Sequence, residues 1–133
     1  MGVTEDNGQA VRRAFGQWEG GDSRPFFALV DREVRWTVIG STPISGTYES
    51  KRVFLTATAR LTERFATPLT ARIIDVTAAG DKVFLQWEGT AVSTAGLDYH
   101  QSYCWVLTLR DGRVVEVIAY LDTELVSAVL ASS

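Results

Sequence analysis

The 133-residue chain predicts an α+β fold, with three N-terminal helices packed on one face of a mostly antiparallel sheet. Three observations lead there. Apolar residues recur at helical spacing through the first half, and two-residue alternation takes over in the second. Asp111-Gly112 stands between two apolar runs, the strongest short hairpin signal, because a tight primed turn needs positive φ at both positions. Helices followed by consecutive strands bury their apolar sides against one another as two layers.

Residues up to about Asn7 read as a loose tail. Ala10, Val11, Ala14, Phe15 and Trp18 then make the apolar stripe of a first helix, with Asp6 or Asn7 as its cap and Gly20-Gly21 as its end. Asp22-Ser23 starts a short second helix through Pro25, Phe26, Phe27, Leu29 and Val30. Val34, Trp36 and Val38 alternate with Arg35, Thr37 and Ile39 as a short strand does, and GSTPISG is a turn-rich loop. A third helix runs from near Ser50 to near Phe65, burying Val53, Phe54, Ala57, Leu61 and Phe65, with Pro68 setting the boundary.

Strands follow from Leu69 to Thr77 and from Lys82 to Ser93, joined by Ala79-Gly80-Asp81. The hairpin from Leu97 to Glu124 organises the rest. Its first strand sets Tyr99, Gln101, Tyr103, Trp105, Leu107 and Leu109 on one face and His100, Ser102, Cys104, Val106 and Thr108 on the other. The returning strand divides Val115, Val117, Ala119 and Leu121 from Val114, Glu116, Ile118, Tyr120 and Asp122. Both faces mix apolar bulk with polar groups, so one should meet a core or cavity and the other a second subunit. A short helix over Leu125 to Leu130 closes a single domain, 1–133, without repeats or linkers.

Composition narrows the function. Hydrophobic residues at 46% and charged residues at 22% fit a globular chain. With net charge −3 and no basic run, a nucleic-acid partner is not expected. No apolar stretch reaches the length of a membrane helix, and the polar N-terminus is unlike a secretory signal, so the expected location is the cytoplasm. One cysteine forms no internal disulfide. One histidine with scattered carboxylates makes no metal cluster, and no cofactor is expected.

Several local marks recur in a set order: Glu19-Gly20-Gly21-Asp22, then Val34-Arg35-Trp36 leading into Gly40-Ser41-Thr42-Pro43-Ile44-Ser45-Gly46. Tyr103, Asp111-Gly112-Arg113-Val114-Val115 and Tyr120-Leu121-Asp122-Thr123 follow. In these marks the chain, from about Gln9 to Leu130, resembles the nuclear-transport-factor-2-like superfamily. That superfamily includes SnoaL-like polyketide cyclases, ketosteroid isomerases and limonene epoxide hydrolases. The resemblance implies a cone-shaped fold, its curved mixed sheet wrapping the helices around a cavity. It also marks departures. Thr37 stands where the isomerases keep their aspartate base, Ala14 or Phe15 where they keep a tyrosine, and Tyr103 or Cys104 where they keep an oxyanion-hole acid. Threonine cannot serve as that base. The hydrolases' aspartate–arginine–aspartate set has no counterpart, since Arg72 and Asp75 lie on opposite faces of a regular strand.

Asp122 falls where SnoaL-like cyclases keep a cavity aspartate, and burial would tune it as an acid or base; the other reading is a helix cap. His100 reads either as a general acid–base or as a residue of the solvent or dimer face. Glu88 reads as a second acid or as a solvated strand position. Tyr99, Gln101, Tyr103 and Trp105 set polar tips on apolar bodies, as orienting an oxygenated apolar ligand requires. Trp18, Phe26, Trp36, Tyr48 and Phe54 complete the expected wall, the alternative being plain core, and Tyr120 is a further expected ligand contact. The expected function is a homodimeric, cofactor-free acid–base isomerase, cyclase or dehydratase of a small apolar molecule. Asp122, Tyr103 and His100 are its catalytic candidates. The alternative is a non-catalytic binding or interaction module, and a cone packed shut by aromatic side chains would favour it.

Overall fold

The computed structural model describes residues 2–132. Among them four helices, α1 (Val3–Glu19), α2 (Arg24–Leu29), α3 (Lys51–Thr62) and α4 (Thr123–Ala131), pack with six strands. The strands are β1 (Val30–Val38), β2 (Gly46–Tyr48), β3 (Thr70–Ala79), β4 (Lys82–Val92), β5 (Asp98–Arg110) and β6 (Arg113–Leu121). They form one mixed sheet in the order β2-β1-β6-β5-β4-β3, parallel only between β1 and β6. The predicted α+β class is the observed one. Among the described residues no helix is long and apolar enough to cross a membrane.

The helices begin and end where local chemistry directs, with one departure. α1 starts at Val3, capped by the backbone of Gly2, rather than after a tail ending at Asn7. Asn7 is buried inside it, and Val11, Phe15 and Trp18 continue that inward stripe. The helix stops at Gly20, where Gly21 takes φ +100° and its N–H reaches the Trp18 carbonyl. Ser50 caps α3 by accepting from the Val53 N–H. Of the expected buried face of α3, Phe54 and Leu61 are buried, whereas Val53 is exposed.

Alternation places the sheet faces as the sequence predicts, except at two bulges. Asp111 and Gly112 take φ 52° and 76°, closing the β5–β6 hairpin. The register slips between Thr108 and Leu109, so Val115 is the extra residue of β6. Val114 therefore points inward with Val117, not outward with Glu116 as strict alternation predicts. A second slip, between Ile73 and Asp75 on β3, sets Arg72 opposite Glu88 and Asp75 opposite Gln86. Arg72 and Asp75 thus share the outer face, where a regular strand would separate them.

The buried residues form two clusters. The larger joins α1, α2 and Phe54 of α3 to the inner sheet face. The smaller gathers Ile44, Leu61, Ala91 and Tyr99 beneath Val126 and Val129 of α4.

Candidate functional site

Between α1–α3 and the inner sheet face lies a pocket of about 520 Å³, within the usual range for small-molecule sites. Its walls follow from alternation. β1 contributes Trp36 and Val38, β4 Trp87, β5 Tyr103 and Trp105, and β6 Ala119 and Leu121, each from an inward position. α1 adds Trp18, α2 Phe27, and α3 Phe54, Thr58 and Leu61. The exposed wall residues Gly21, Arg24, Leu55, Thr62 and Pro68 mark the rim. Arg24, the one charged residue of the wall, is already paired with Asp22 at 2.8 Å on the surface.

Aromatic stacking builds the floor. Trp87 and Tyr103, cross-strand partners on β4 and β5, stack with centroids 4.1 Å apart and planes 11° from parallel. Trp36 stacks on Phe54 at 3.8 Å. Trp105 stands nearly perpendicular to Trp36 and to Trp87, at 83° and 81°, an edge-to-face arrangement favoured by the ring quadrupoles. The Trp18 N–H donates to the Leu69 carbonyl at 3.1 Å. Those of Trp36, Trp87 and Trp105 are buried and meet no oxygen or nitrogen acceptor among the described residues. They lie in a ring cluster whose π faces are the acceptors on offer. Gly89 makes the stack possible: a Cβ there would lie 3.0 Å from Trp87 Cζ3 and 3.1 Å from both Leu69 Cδ1 and Tyr103 Cε2.

The polar equipment of the site is short. Tyr103 is half-buried in the pocket wall, and its hydroxyl lies 2.8 Å from that of Tyr99. Burial foremost, and then the neighbouring Tyr99, push the Tyr103 phenol well above its usual value, so it stays protonated. Tyr99 is also raised, mainly by burial. Gln101 is fully buried behind them. Neither Tyr99 nor Gln101 reaches the pocket wall, and Tyr48 lies behind Phe54, its hydroxyl donated to the Ile44 carbonyl at 2.6 Å.

The remaining candidates lie elsewhere. Asp122 is exposed, and its carboxylate caps α4 by accepting from the Leu125 N–H at 3.3 Å. His100 and Glu88 stand on the outer face, 3.5 Å apart, with Arg72 2.7 Å from the same Glu88 oxygen. The Arg72 guanidinium, and next His100, hold the Glu88 carboxyl below its usual value, which makes it a fixed anion rather than an acid. Tyr120 is also on the outer face, 46% exposed. Thr37 turns away from the pocket to bond Thr47 at 3.0 Å. Alternation alone explains the outward positions of Thr37, Glu88, His100 and Tyr120, since each is one residue out of phase with the inner face. Trp87, Phe27, Leu61 and Phe65 line the pocket without having been singled out. For Trp87 a signal existed: it shares the face of Leu85 and Gly89 on β4 and alternates with Gln86 and Glu88.

A family model described as a SnoaL-like domain matches residues 11–117, most of the chain and all six strands but for the end of β6. The chain belongs to the SnoaL-like family. No curated protein matches it in sequence. Among solved structures, the SnoaL-like fold is shared with a putative SnoaL-like polyketide cyclase from Jannaschia sp. CCS1. That structure is 21% identical with TM-score 0.76, the match covering 100% of this chain and 96% of that one. TerC, co-crystallized with polyporic acid, is 16% identical with TM-score 0.77 over 96% and 99% of the two chains. An NTF2-like protein from Burkholderia xenovorans LB400 is 17% identical with TM-score 0.70 over 96% and 98%. At these identities the likeness is one of fold.

Proposed function

We propose that this SnoaL-like protein encloses a small, flat, mostly apolar molecule bearing an oxygen. We propose further that it isomerises, cyclises or dehydrates that molecule without a cofactor. The observation that carries the proposal is the open aromatic pocket with Tyr103 in its wall. A cone packed shut would have served a purely structural role. Trp36, Trp87 and Trp105 offer broad faces to a ring system, and Tyr103 offers one hydrogen-bond donor.

No carboxylate, imidazole or amine among the described residues lines the wall, so the part expected of Asp122 and His100 narrows to that of a hydrogen-bond donor, Tyr103, and the proton the substrate loses goes to water at the open rim. A neutral phenol held protonated by burial acts as donor to an oxygen on which negative charge gathers, as in enolisation. Screening naphthyl and anthracenyl ketones by quenching of tryptophan fluorescence tests this reading. Saturable quenching by members of the series is expected; none across the series would refute it.

We also propose that a second copy of the chain covers the outer sheet face. Phe84, Val106 and Ile118 lie in register across β4, β5 and β6 and make an apolar row there, with exposed Tyr120 beside it. Sedimentation at micromolar concentration should show a dimer, and Ile118→Asp should dissociate it; a wild-type monomer would remove the idea.

A further inference from the structure

Behind the pocket wall runs a chain of polar groups whose hydrogen-bond directions follow one from another. It begins at the backbone of Asp122. Gln101 Oε1 accepts from the Asp122 N–H at 2.7 Å, and Gln101 Nε2 donates to the Asp122 carbonyl at 2.9 Å. A backbone N–H only donates and a carbonyl only accepts, so the side-chain amide has one possible orientation. Nε2 also donates to the Tyr99 hydroxyl at 3.3 Å, which makes Tyr99 the acceptor at that contact. Tyr99 is fully buried, and its own O–H needs an acceptor. The Tyr103 oxygen, 2.8 Å away, is the acceptor in reach. Tyr99 therefore donates to Tyr103. The Tyr103 hydrogen is left without an acceptor among the described residues, on a side chain that lines the pocket.

We propose that Gln101 and Tyr99 are positioning residues that hold the Tyr103 O–H as a one-way donor into the pocket, selecting ligands with an acceptor oxygen such as an aryl ketone. This deepens the pocket reading and rests on it. Two residues of the inner face that do not touch the ligand thereby acquire a role in specificity. Tyr99 occupies a lone pair of Tyr103 and leaves its hydrogen to the ligand. A ligand without an acceptor would bury that hydrogen unpaired, which disfavours it. The Asp122 carboxylate has no part in the chain; only its peptide groups do.

The test compares 2-acetylnaphthalene with its hydrocarbon isostere, 2-isopropenylnaphthalene, on the full chain by calorimetry. The carbonyl stretch of the bound ketone is read by difference infrared spectroscopy. The ketone should bind about five-fold more tightly, the net worth of one neutral hydrogen bond. Its stretch should move to lower frequency than in hexane. Tyr103→Phe should abolish both the preference and the shift, and hydrocarbon affinity should hold or rise, since the ring faces remain and no unpaired hydrogen is buried. Tyr99→Phe, which keeps the ring packing, should weaken and broaden the shifted band although Tyr103 is intact. Near-ultraviolet circular dichroism confirms the fold of each variant. Equal affinity for ketone and isostere would overturn the donor chain and leave the pocket reading standing. Binding of neither compound would overturn both. A band in Tyr99→Phe identical to the wild type would show that Tyr99 sets no direction and would refute the positioning role.

Discussion

Replacing Gly89 by alanine would strike the point where the sheet and the pocket floor are closest. The added Cβ would stand 3.0 Å from Trp87 Cζ3 and 3.1 Å from Leu69 Cδ1 and Tyr103 Cε2. Each contact asks its neighbour to give by a few tenths of an ångström, and two of the three belong to rings stacked 4.1 Å apart. The rings cannot swing away independently, because Trp87 also packs on Phe15 and Trp105. Overpacking of this kind costs about 1–3 kcal/mol. Against it stands about 0.5–1 kcal/mol gained by restricting the unfolded chain, since Gly89 is not at positive φ. The net loss is about 1–2 kcal/mol, and at about 3–4 °C per kcal/mol for a domain of this size the Tm should fall by about 3–8 °C. Gly16 in α1 is the control, because a Cβ there meets nothing within 4 Å. Gly16→Ala should raise Tm by about 3 °C through helix propensity alone. Thermal unfolding by circular dichroism measures both, and ketone titration reads the displaced Tyr103 as about three-fold weaker binding of the acceptor probe. A Gly89→Ala protein as stable as Gly16→Ala, with full ketone affinity, would refute the account of the floor.

Tyr103→Phe should lower turnover of any ketone substrate by about 10²–10³, the usual loss when one donor to a developing oxyanion is removed. The same change leaves the buried Tyr99 O–H without its acceptor, so a melting experiment should show a loss of about 1–3 kcal/mol. At Asp122 the two readings separate cleanly. Asn keeps the cap of α4 and should leave stability and ligand binding unchanged, whereas Ala should cost about 1 kcal/mol and still bind ligand; loss of activity in Asp122→Asn with the fold intact would restore the carboxylate as an acid–base group. Glu88 gives the pH signature. Its folded-state value lies below 4.5, so its contribution is complete above that pH and is lost as pH falls through the folded value. Glu88→Gln should therefore flatten the acid limb of the stability profile from about pH 5 down through the folded value without touching ligand affinity; an unchanged limb would show that the pair with Arg72 adds nothing.

The α+β class, the hairpin turn and the division of β5 into two faces were legible because each is a local consequence of the chain. A strand must alternate, and Asp111-Gly112 must turn. That alternation alone was enough to separate Tyr103 and Trp105 from His100, but it left open which of the two faces meets the pocket. What alternation could not show was where a strand slips. Val114 and Asp75 change faces because of bulges whose extra residues answer to partners on other strands, not to their own neighbours. The fate of Asp122 was likewise beyond the sequence, where a cap and a cavity acid look alike. Only the start of α4 one residue later, and the seat of Gln101 against the Asp122 peptide groups, turned that carboxylate to solvent. The direction of the Tyr103 hydrogen is the furthest from the sequence of all. It depends on four groups brought within hydrogen-bond reach from β5 and the β6–α4 junction, and on the fact that a backbone N–H can donate and a carbonyl can only accept.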